Sequence, residues 1–338
     1  MSRHSNPNKP LTIEQVAAAA GVSTMTVSRV LRGTDNVAAK TREKVNACME
    51  ELGYVHNKIA GALAASSGTQ IAVIVPSLDS IVFTELLSGI AAGLNASVYQ
   101  QVIGISEYDL DRELNIVRTM LGWRPAAFIL ASTRHLPKTR QLLQAWGAPV
   151  VEVMELTRNP IDICVGLNQR RAGKVMAAHL LKKNYKRFAY LGSDHTVDRA
   201  AALRCSGFQS ELQRNGIDFE HRLTVAGHSG ITLGRQYMPQ LLHTCKEAEV
   251  VYFSNDAVAA GAMMHCLANG INIPRDIALA SFSGLEIASA MPVPITTIRS
   301  PRFEMGKLSA QRLLASLQGE TVKRITDTDF TLIEGASA

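Results

Sequence analysis

From Gln70 onward, short apolar runs alternate with amphipathic stretches of helical period, and this alternation constrains the fold more than any other feature of the chain. Alternation of this kind is typical of parallel, doubly wound sheets with right-handed crossovers. The predicted strands are Ile71–Val75, Val102–Ile105, Ala127–Ala131, Val150–Val153, Phe188–Gly192, Leu223–Val225, Val250–Phe253 and Ile277–Phe282. The predicted helices include Phe83–Ser97, Arg112–Leu121, Arg170–Lys183, Ala201–Asn215 and Ala257–Asn269. A break near Gly166 predicts two similar α/β lobes.

Length and composition set the class of protein. With 338 residues, 46% hydrophobic and 19% charged, the chain is expected to be a soluble globular protein with about two domains. No apolar run reaches the roughly 18 residues of a membrane helix, and residues 1–9, which lack the apolar core of a secretory signal, are predicted to be a disordered lead-in. The five cysteines are scattered without a Cys-x-x-Cys pair, which predicts no disulfide framework and no zinc cluster. We therefore expect a cytoplasmic protein without metal or cofactor.

The positive charge is concentrated near the N-terminus. Residues 1–63 contain eight Lys and Arg against five acids, so this short segment carries half of the net charge of +6. A basic segment is compatible with a nucleic-acid partner, but a basic patch alone is more typical of a solvated helical surface. Local structure has to decide between these two interpretations.

The segment from Thr12 to Gly53 has the signals of three short helices. Thr12 is a good N-cap, an apolar stripe follows it with helical spacing, and Gly21 ends that helix. Ser23 can cap a second helix, Thr24–Leu31, whose Thr24, Met25, Thr26, Ser28 and Arg29 are expected to be exposed. A third helix, about Lys40–Leu52, is expected to bury Val45, Cys48, Met49 and Leu52. Two helices joined by a tight glycine turn, with a third packed across them, make a helix-turn-helix unit.

The same residues resemble a known family. The stretch Thr12–Leu31, with the sequence TIEQVAAAAGVSTMTVSRVL, is similar to the DNA-binding headpiece of the lactose/galactose repressor family. Lys40–Val45 and Glu51–Tyr54 are similar to the third helix of that headpiece. The resemblance implies a helix-turn-helix headpiece at 10–56, a hinge helix and linker at 57–68, and an effector-binding and dimerisation core at 69–338. It implies a homodimer bound to a palindromic operator in double-stranded DNA.

The resemblance assigns roles in DNA binding to individual residues. Thr24, Met25 and Arg29 align with the family's base-reading positions, and Arg29 is expected to read a guanine through two hydrogen bonds while Met25 contacts a thymine methyl. Phosphate contacts, which fix register without reading sequence, are expected from Thr12, Thr26, Ser28 and Asn36.

The hinge helix is the second DNA-binding element that the resemblance implies. It would begin at Asn57 and run to Ala64, with Leu63 as the wedge that enters the minor groove. Three residues depart from the family pattern: His56 stands where proline is usual, Gly61 lies inside the helix, and Ala38 replaces the Ser or Thr that caps the third helix. The segment is also compatible with a simple flexible linker.

For the core, the resemblance implies the architecture of periplasmic binding proteins. The chain would cross between the lobes three times, which places about 69–166 plus 298–320 in lobe one and about 167–297 plus 321–336 in lobe two. The small-molecule site would lie in the cleft at the carboxyl ends of the strands. The family's effector positions correspond to Ser77, Arg204, Asn255 and Ser283, with Ser132 and Arg134 as further candidates and Thr133 and Glu152 as neighbours that could complete the site.

Ser283 suggests the class of effector. Many sugar-sensing members have an aspartate at this position, which binds hydroxyls and repels a carboxylate. Serine removes that charge and leaves Arg204 to pair with an anion, which favours a sugar acid. The run Val73–Leu78 and the segment Phe83–Gly89 also resemble the gluconate-operon repressors. Gluconate or a ketogluconate is therefore the expected effector; a neutral sugar or a nucleoside is the alternative.

Two other classes of protein fit the sequence less well. A free-standing sugar-binding protein that feeds transport needs export, and the chain shows neither a signal nor a lipoprotein cysteine. An enzyme such as a sugar-acid kinase needs phosphate-binding glycines, and the sequence contains no P-loop, no Gly-x-Gly-x-x-Gly after a strand and no His-Glu-x-x-His. The sequence therefore predicts a DNA-binding transcriptional repressor with no catalytic residues.

Overall fold

The computed structural model describes residues 11–31, 36–54, 68–227 and 229–338. Its contacts divide the chain into two compact units, residues 1–68 and 69–338. The lead-in at 1–9 and the hinge residues Asn57 and Leu63 lie outside the described residues, so their predicted roles stay predictions.

The first unit is built from three helices, α1 (Ile13–Ala20), α2 (Thr24–Leu31) and α3 (Ala39–Leu52). The turn between α1 and α2 follows from its sequence, since Gly21 adopts a left-handed φ of 64° and the Ser23 hydroxyl accepts a hydrogen bond from the Thr26 amide at 3.2 Å. Small apolar side chains fill the space between the helices. They are Val16, Ala17, Ala20, Val27, Val30 and Val45.

Helix α3 buries less than the sequence predicts. Val45 is fully buried, whereas Cys48 and Met49 are half-buried and Leu52 is 36% exposed. The prediction for Leu52 was wrong because the helix ends at Gly53, and its last turn extends past the small core formed with α1 and α2. Ala38 precedes the helix and offers no side-chain cap.

Lobe one of the second unit contains a six-stranded parallel sheet in the order β11-β5-β4-β3-β1-β2. Its strands are β1 (Gln70–Val75), β2 (Gln100–Ile105), β3 (Ala127–Leu130), β4 (Val150–Glu155), β5 (Ile163–Leu167) and β11 (Ile325–Asp327). Helices α4 (Ile81–Leu94) and α12 (Arg302–Leu317) cover one face, and α5 (Leu110–Gly122) and α6 (Pro137–Trp146) cover the other. Strands buried on both faces explain the continuous apolar runs of the sequence.

Lobe two repeats this plan around a four-stranded parallel sheet in the order β7-β6-β8-β9. The strands are β6 (Phe188–Ser193), β7 (Phe219–Val225), β8 (Val250–Phe253) and β9 (Ala278–Ala280). The helices are α7 (Gln169–Lys182), α8 (Arg199–Arg214), α9 (Ile231–Thr244), α10 (Asp256–Ala268) and the short α11 (Glu286–Ala290). None of the helices in the described ranges is long and apolar enough to span a membrane.

The chain passes between the lobes three times, and one predicted boundary needs correction. The prediction placed 321–336 in lobe two, but β11 pairs with β5 and so extends the sheet of lobe one. Only after β11 does the chain cross: β12 (Thr331–Ile333) pairs with β10 (Thr297–Arg299), and the Ser337 hydroxyl bonds to the Leu279 carbonyl of lobe two. The three-residue strands β10, β11 and β12 lie outside the predicted strands, because three residues carry too short a pattern on their own.

Glycines let pairs of helices pack with their backbones in contact. A Cβ on Gly89 of α4 would lie 2.0 Å from the Phe303 carbonyl oxygen of α12, and one on Gly306 of α12 would lie 2.2 Å from the Leu86 oxygen of α4. Helices α7 and α8 show the same reciprocal contact, since a Cβ on Gly173 would lie 1.9 Å from the Arg204 carbonyl oxygen. The position of α8 in the cleft therefore depends on a glycine of α7.

We expect Gly173→Ala to destabilise the protein, by about 1–3 kcal/mol, because the added methyl group forces α7 and α8 apart. The measurement is urea-induced unfolding followed by circular dichroism. Gly122→Ala is the matched control, since a Cβ there meets nothing within 4 Å and alanine favours the helix. Equal stability of the two variants would contradict the close packing of α7 on α8.

Candidate functional site

Helix α2 presents the side chains that the sequence assigned to base reading. Thr24, Met25 and Arg29 are exposed, and Met25 is 59% exposed, whereas Val27 and Val30 on the opposite face are buried. The Arg29 guanidinium lies one helical turn from Met25, with its Nη2 3.7 Å from the thioether sulfur. Met25 and Arg29, two of the three predicted base-reading residues, therefore form one contiguous surface. The helix that carries them has the width that a major groove accepts.

The four residues predicted to hold phosphates have different surroundings. Thr12 precedes α1, where its amide donates to Gln15 Oε1 at 2.8 Å. The Thr26 hydroxyl lies 2.9 Å from the Ser23 hydroxyl, Ser28 is half-buried, and Asn36 is exposed. Thr12 and Thr26 thus take part in the local structure of the helix ends.

A cavity of about 620 Å³ lies between the two lobes at the carboxyl ends of their strands. All six residues predicted to bind the effector line it. Lobe one contributes Ser77, Ser132 and Arg134, and lobe two contributes Arg204, Asn255 and Ser283. The parallel strands bring these positions together, because the ends of such strands meet at one edge of each sheet.

Arg204 is a buried cation in the wall of this cavity, with 5% of its surface exposed. Its guanidinium donates to Gln169 Oε1 at 2.8 Å and to the Ser254 carbonyl at 3.0 Å, and it stacks 4.0 Å over the ring of Phe282. Its Nε has no hydrogen-bond partner, and no carboxylate within the described ranges pairs with it. Neutral dipoles and a π-face hold the guanidinium in place, so its charge is still available to an anion.

Ser283 lies in a loop fixed by a buried carboxylate. Asp256, at the first turn of α10, accepts hydrogen bonds from the Ser281 hydroxyl, from the Thr297 hydroxyl at 2.6 Å and from the Leu285 amide at 2.6 Å. Burial raises the pKa of Asp256, and these hydrogen bonds oppose that shift. Ser283 itself is buried and has a φ of 133°, so the loop holds it in a conformation that side chains rarely adopt.

Three other predicted residues are already bonded within the protein. The Asn255 side chain caps α10 through the Val258 amide and donates to the Ser229 hydroxyl at 2.7 Å. The Ser77 hydroxyl accepts from the Asp79 amide, and the Ser132 hydroxyl bonds to the backbone of Arg134. These side chains shape the wall of the cavity as well as facing it.

Two arginines bridge the mouth of the cavity. Arg134 of lobe one donates to the Thr196 carbonyl of lobe two at 3.4 Å, and Arg199 of lobe two pairs with Glu155 of lobe one at 3.1 Å. Thr133 also bonds to Glu155, so it supports this bridge and is absent from the cavity lining. Two polar contacts thus join the lobes across the cavity, and in each of them the arginine is exposed.

Glu152 was predicted as a neighbour that could complete the site, and the structure places it elsewhere. It is fully buried and does not line the cavity; it lies 3.5 Å from His135 Nε2 and accepts from the Ile161 amide. Glu113, which does line the cavity, bonds to His135 Nδ1 at 2.7 Å. Glu152 therefore serves a buried His135 cluster, because β4 points alternate side chains to opposite faces.

Sequence reasoning missed several residues of the cavity wall. Arg302, 3% exposed, pairs with Glu85 at 2.8 Å and donates to the Ser283 carbonyl, and the hydroxyl of neighbouring Ser300 has no partner among the described residues. Tyr108 enters the cavity from the loop after β2. Pro301 was a local signal for a helix start at Arg302. The pair Glu107-Tyr108, in contrast, gave no signal for a turn. The described residues contain no cluster of His, Cys, Asp or Glu suited to a metal ion.

Comparisons with known proteins agree with this geometry. Residues 12–57 match the model of the bacterial regulatory proteins of the lacI family, and residues 177–338 match that of the periplasmic binding protein-like domain. The HTH-type transcriptional regulator GntR of Pseudomonas aeruginosa is 35% identical over 313 residues, which cover 92% of this chain and 91% of that protein.

Two solved structures extend the likeness to the whole chain. A LacI-family transcriptional regulator from Silicibacter pomeroyi is 38% identical with a TM-score of 0.93, covering 97% of this chain and 99% of the other. The Lac repressor dimer bound to operator and to the anti-inducer ONPF is 26% identical with a TM-score of 0.84, covering 97% of this chain and 99% of that one.

We expect His135 to stay protonated well above neutral pH. Burial by itself lowers the pKa of His135, but the hydrogen bond with Glu113 and the negative charges of Glu113 and Glu152 outweigh it and raise that pKa to about 9. Nuclear magnetic resonance of labelled histidines should show this shift, with His179 and His195 as internal controls because burial lowers the pKa of each. A midpoint for His135 near 6.5 would contradict the charged cluster.

The raised pKa also sets a direction for stability. The contribution of protonated His135, on the order of 1–3 kcal/mol, is fully present below the unfolded pKa of 6.5 and is lost as the pH rises through about 9. Unfolding in urea between pH 6 and pH 10 measures this loss.

Proposed function

Because the chain belongs to the lactose/galactose repressor family of bacterial transcriptional regulators, we propose that it represses an operon for sugar-acid utilisation, of the gluconate or ketogluconate type. In this proposal a sugar acid fills the cleft and releases the protein from a palindromic operator. The relatives named above are transcriptional regulators, and we propose regulation rather than catalysis for this chain as well.

The observation that carries the proposal is the state of Arg204. A buried guanidinium is costly unless an opposite charge or strong dipoles compensate for it. Three other charged residues of the cavity wall have charged partners: Glu155 pairs with Arg199, Glu113 with His135, and Arg302 with Glu85. Arg134, Asp194 and Asp198 also line the cavity and have only neutral partners, but none of them is buried. Arg204 has only neutral partners among the described residues, so a ligand carboxylate is the counter-charge that the cleft lacks.

The rest of the wall supports a polyhydroxylated ligand. A cavity of about 620 Å³ is within the range for small molecules. Hydroxyl groups that can donate and accept line both of its sides, as a chain of ligand hydroxyls requires. They belong to Ser77, Ser80, Ser106, Ser132, Ser193, Ser229, Ser283 and Ser300.

On the DNA side, the proposal assigns base reading to α2. Thr24, Met25 and Arg29 would contact base edges, whereas Thr12, Thr26, Ser28 and Asn36 would hold phosphates, and Asn57 and Leu63 would act in the hinge. A homodimer places two such helices on the half-sites of a palindrome. Because the protein acts on the chromosome, we propose a cytoplasmic location.

The proposed coupling runs through the separation of the lobes. A ligand that contacts both walls of the cleft changes the equilibrium between lobe arrangements by its differential affinity for them. Effects of this kind are typically worth 1–3 kcal/mol in DNA affinity. The bridges Arg134–Thr196 and Arg199–Glu155 are the contacts that such a change would remake first.

Fluorescence anisotropy tests the proposal directly. The full chain is titrated onto a labelled palindrome from its own promoter region, at fixed salt, with and without gluconate and ketogluconates. Tight binding that one acid releases would support repressor and effector class together. Tight binding that only a neutral sugar or a nucleoside releases would contradict the sugar-acid effector. Absence of binding to the palindrome would contradict the proposed operator binding.

We expect Ser283→Asp to weaken gluconate binding at least tenfold, because it returns a negative charge to the wall of the cavity that Arg204 shares. Isothermal titration calorimetry measures the dissociation constant. Ser283→Asn is the matched control, since it adds similar volume at the same backbone φ without the charge. Equal losses in the two variants would attribute the effect to size and contradict the electrostatic explanation.

We expect Arg29→Ala to reduce affinity for the operator by about 1–3 kcal/mol and to relax the preference for one base pair, since a bidentate contact to guanine is lost. Binding to random DNA should fall much less. Arg29→Lys is the matched control, because lysine keeps the charge but not the paired donors. Equal operator binding by Arg29→Lys and the unaltered protein would mean that Arg29 contacts only phosphate.

A further inference from the structure

The loop between β2 and α5 has an unusual backbone. The Asp109 amide donates to the Ser106 carbonyl at 3.0 Å, which closes a four-residue turn. Its central residues, Glu107 and Tyr108, have φ values of 52° and 61°. Positive φ at both central positions is the signature of a type I′ turn, which favours asparagine and glycine. A bulky aromatic residue in this conformation needs support from its surroundings.

The support comes from both ends of the turn. The Ser106 amide donates to the Val75 carbonyl at 3.0 Å and so continues the sheet. The Asp109 carboxylate caps α5 by accepting from the amides of Asp111 and Arg112, and the Glu107 carboxylate pairs with the Arg112 guanidinium. These contacts therefore fix the backbone in a conformation that the residues Glu107 and Tyr108 disfavour. This conformation directs the Tyr108 side chain into the cavity.

Tyr108 reaches into the cavity from lobe one. Its ring packs edge to face on Phe83, with the centroids 6.4 Å apart, yet 45% of the residue remains exposed. Partial burial raises the pKa of Tyr108, so its hydroxyl is protonated at neutral pH; the charge of Asp198 adds to this shift, and that of Arg204 opposes it. Asp198, the cap of α8, and Arg204 within α8 line the same cavity from lobe two.

The hydroxyl has no acceptor of its own among the described residues. Asp198, on the opposite wall, accepts from the Ser193 hydroxyl at 3.1 Å and from the Ala201 amide at 2.9 Å as the cap of α8. A hydroxyl donor from lobe one and a buried arginine from lobe two thus line the same cavity.

We propose that Tyr108 determines specificity for the anionic end of the effector: its hydroxyl donates to the ligand carboxylate that Arg204 holds from the other lobe. This inference rests on the proposed function, because the carboxylate belongs to the proposed effector. A ligand held in this way joins the two lobes through its charged group, and a neutral analogue of the same shape does not.

Calorimetry on the full chain tests the assignment with gluconate and its neutral analogue gluconamide. Tyr108→Phe keeps the ring and removes only the hydroxyl, so we expect about tenfold or greater weakening for gluconate, little change for gluconamide, and an unaltered thermal midpoint. If Tyr108 had a merely structural role, the substitution would change the affinities for both ligands or for neither.

The strained turn supplies a second readout. Tyr108→Asn should raise the thermal midpoint, because asparagine tolerates a left-handed backbone, while it weakens gluconate binding. Arg124→Asn is the matched control: Arg124 has a φ of 52° outside the cavity lining, so asparagine there should relieve strain and leave gluconate binding unchanged.

The outcomes separate the two levels of the proposal. Gluconate that binds Tyr108→Phe as tightly as the unaltered protein would overturn the role of Tyr108 and leave the sugar-acid regulator standing. An unaltered protein that binds gluconamide or a neutral sugar but no acid would overturn the effector class and this assignment together.

Discussion

A positive charge buried without a counter-charge is the constraint on which the cleft depends. Removing a guanidinium from water is costly, and this chain offsets the cost with a glutamine oxygen, a backbone carbonyl and the face of an aromatic ring. None of these partners cancels the charge. Helix α8 must hold Arg204 at the edge of the cavity, and it can do so because Gly173 lets α7 approach its backbone. The chemistry of the cleft therefore begins in helix packing.

The surrounding acids are arranged so that this charge stays uncompensated. Glu113 and Glu152 lie on either side of His135, Glu155 faces Arg199, and Asp198 caps the helix that carries Arg204. Each carboxylate is committed to a partner in its own neighbourhood. An anion that enters the cavity therefore meets one buried arginine, Arg204, whose partners among the described residues are all neutral.

Much of this architecture could be predicted from the sequence because local signals agree with the global fold. Helix α2 was predicted at Thr24–Leu31 and occupies those residues, since Ser23 caps it and Gly21 ends the helix before it. Strands β1, β4 and β6 were predicted because both of their faces are buried. Strand β5 (Ile163–Leu167) was missed beside a predicted lobe break, and β10, β11 and β12 are fixed by their partners rather than by their own pattern.

Residues of the cavity wall could be predicted where they directly follow the end of a strand. Ser77 and Asn255 follow strand ends, and six predicted residues meet in one cavity. Tyr108 and His135 depend on tertiary context: the first on a turn whose sequence disfavours its own backbone, the second on two glutamates from distant elements. For Glu152, the position in the sequence gave no information on the face of β4 to which the side chain points.

The glycine contacts between helices also determine how the molecule can deform. Where two helix backbones touch without an intervening side chain, neither can slide or rotate without a steric clash, so each lobe behaves as a stiff block. Deformation is then concentrated in the three segments that link the blocks, and small changes of backbone angle there move whole surfaces. Any change in the separation of the lobes has to appear as a change of backbone angle in these three segments, because the packing within each lobe resists it.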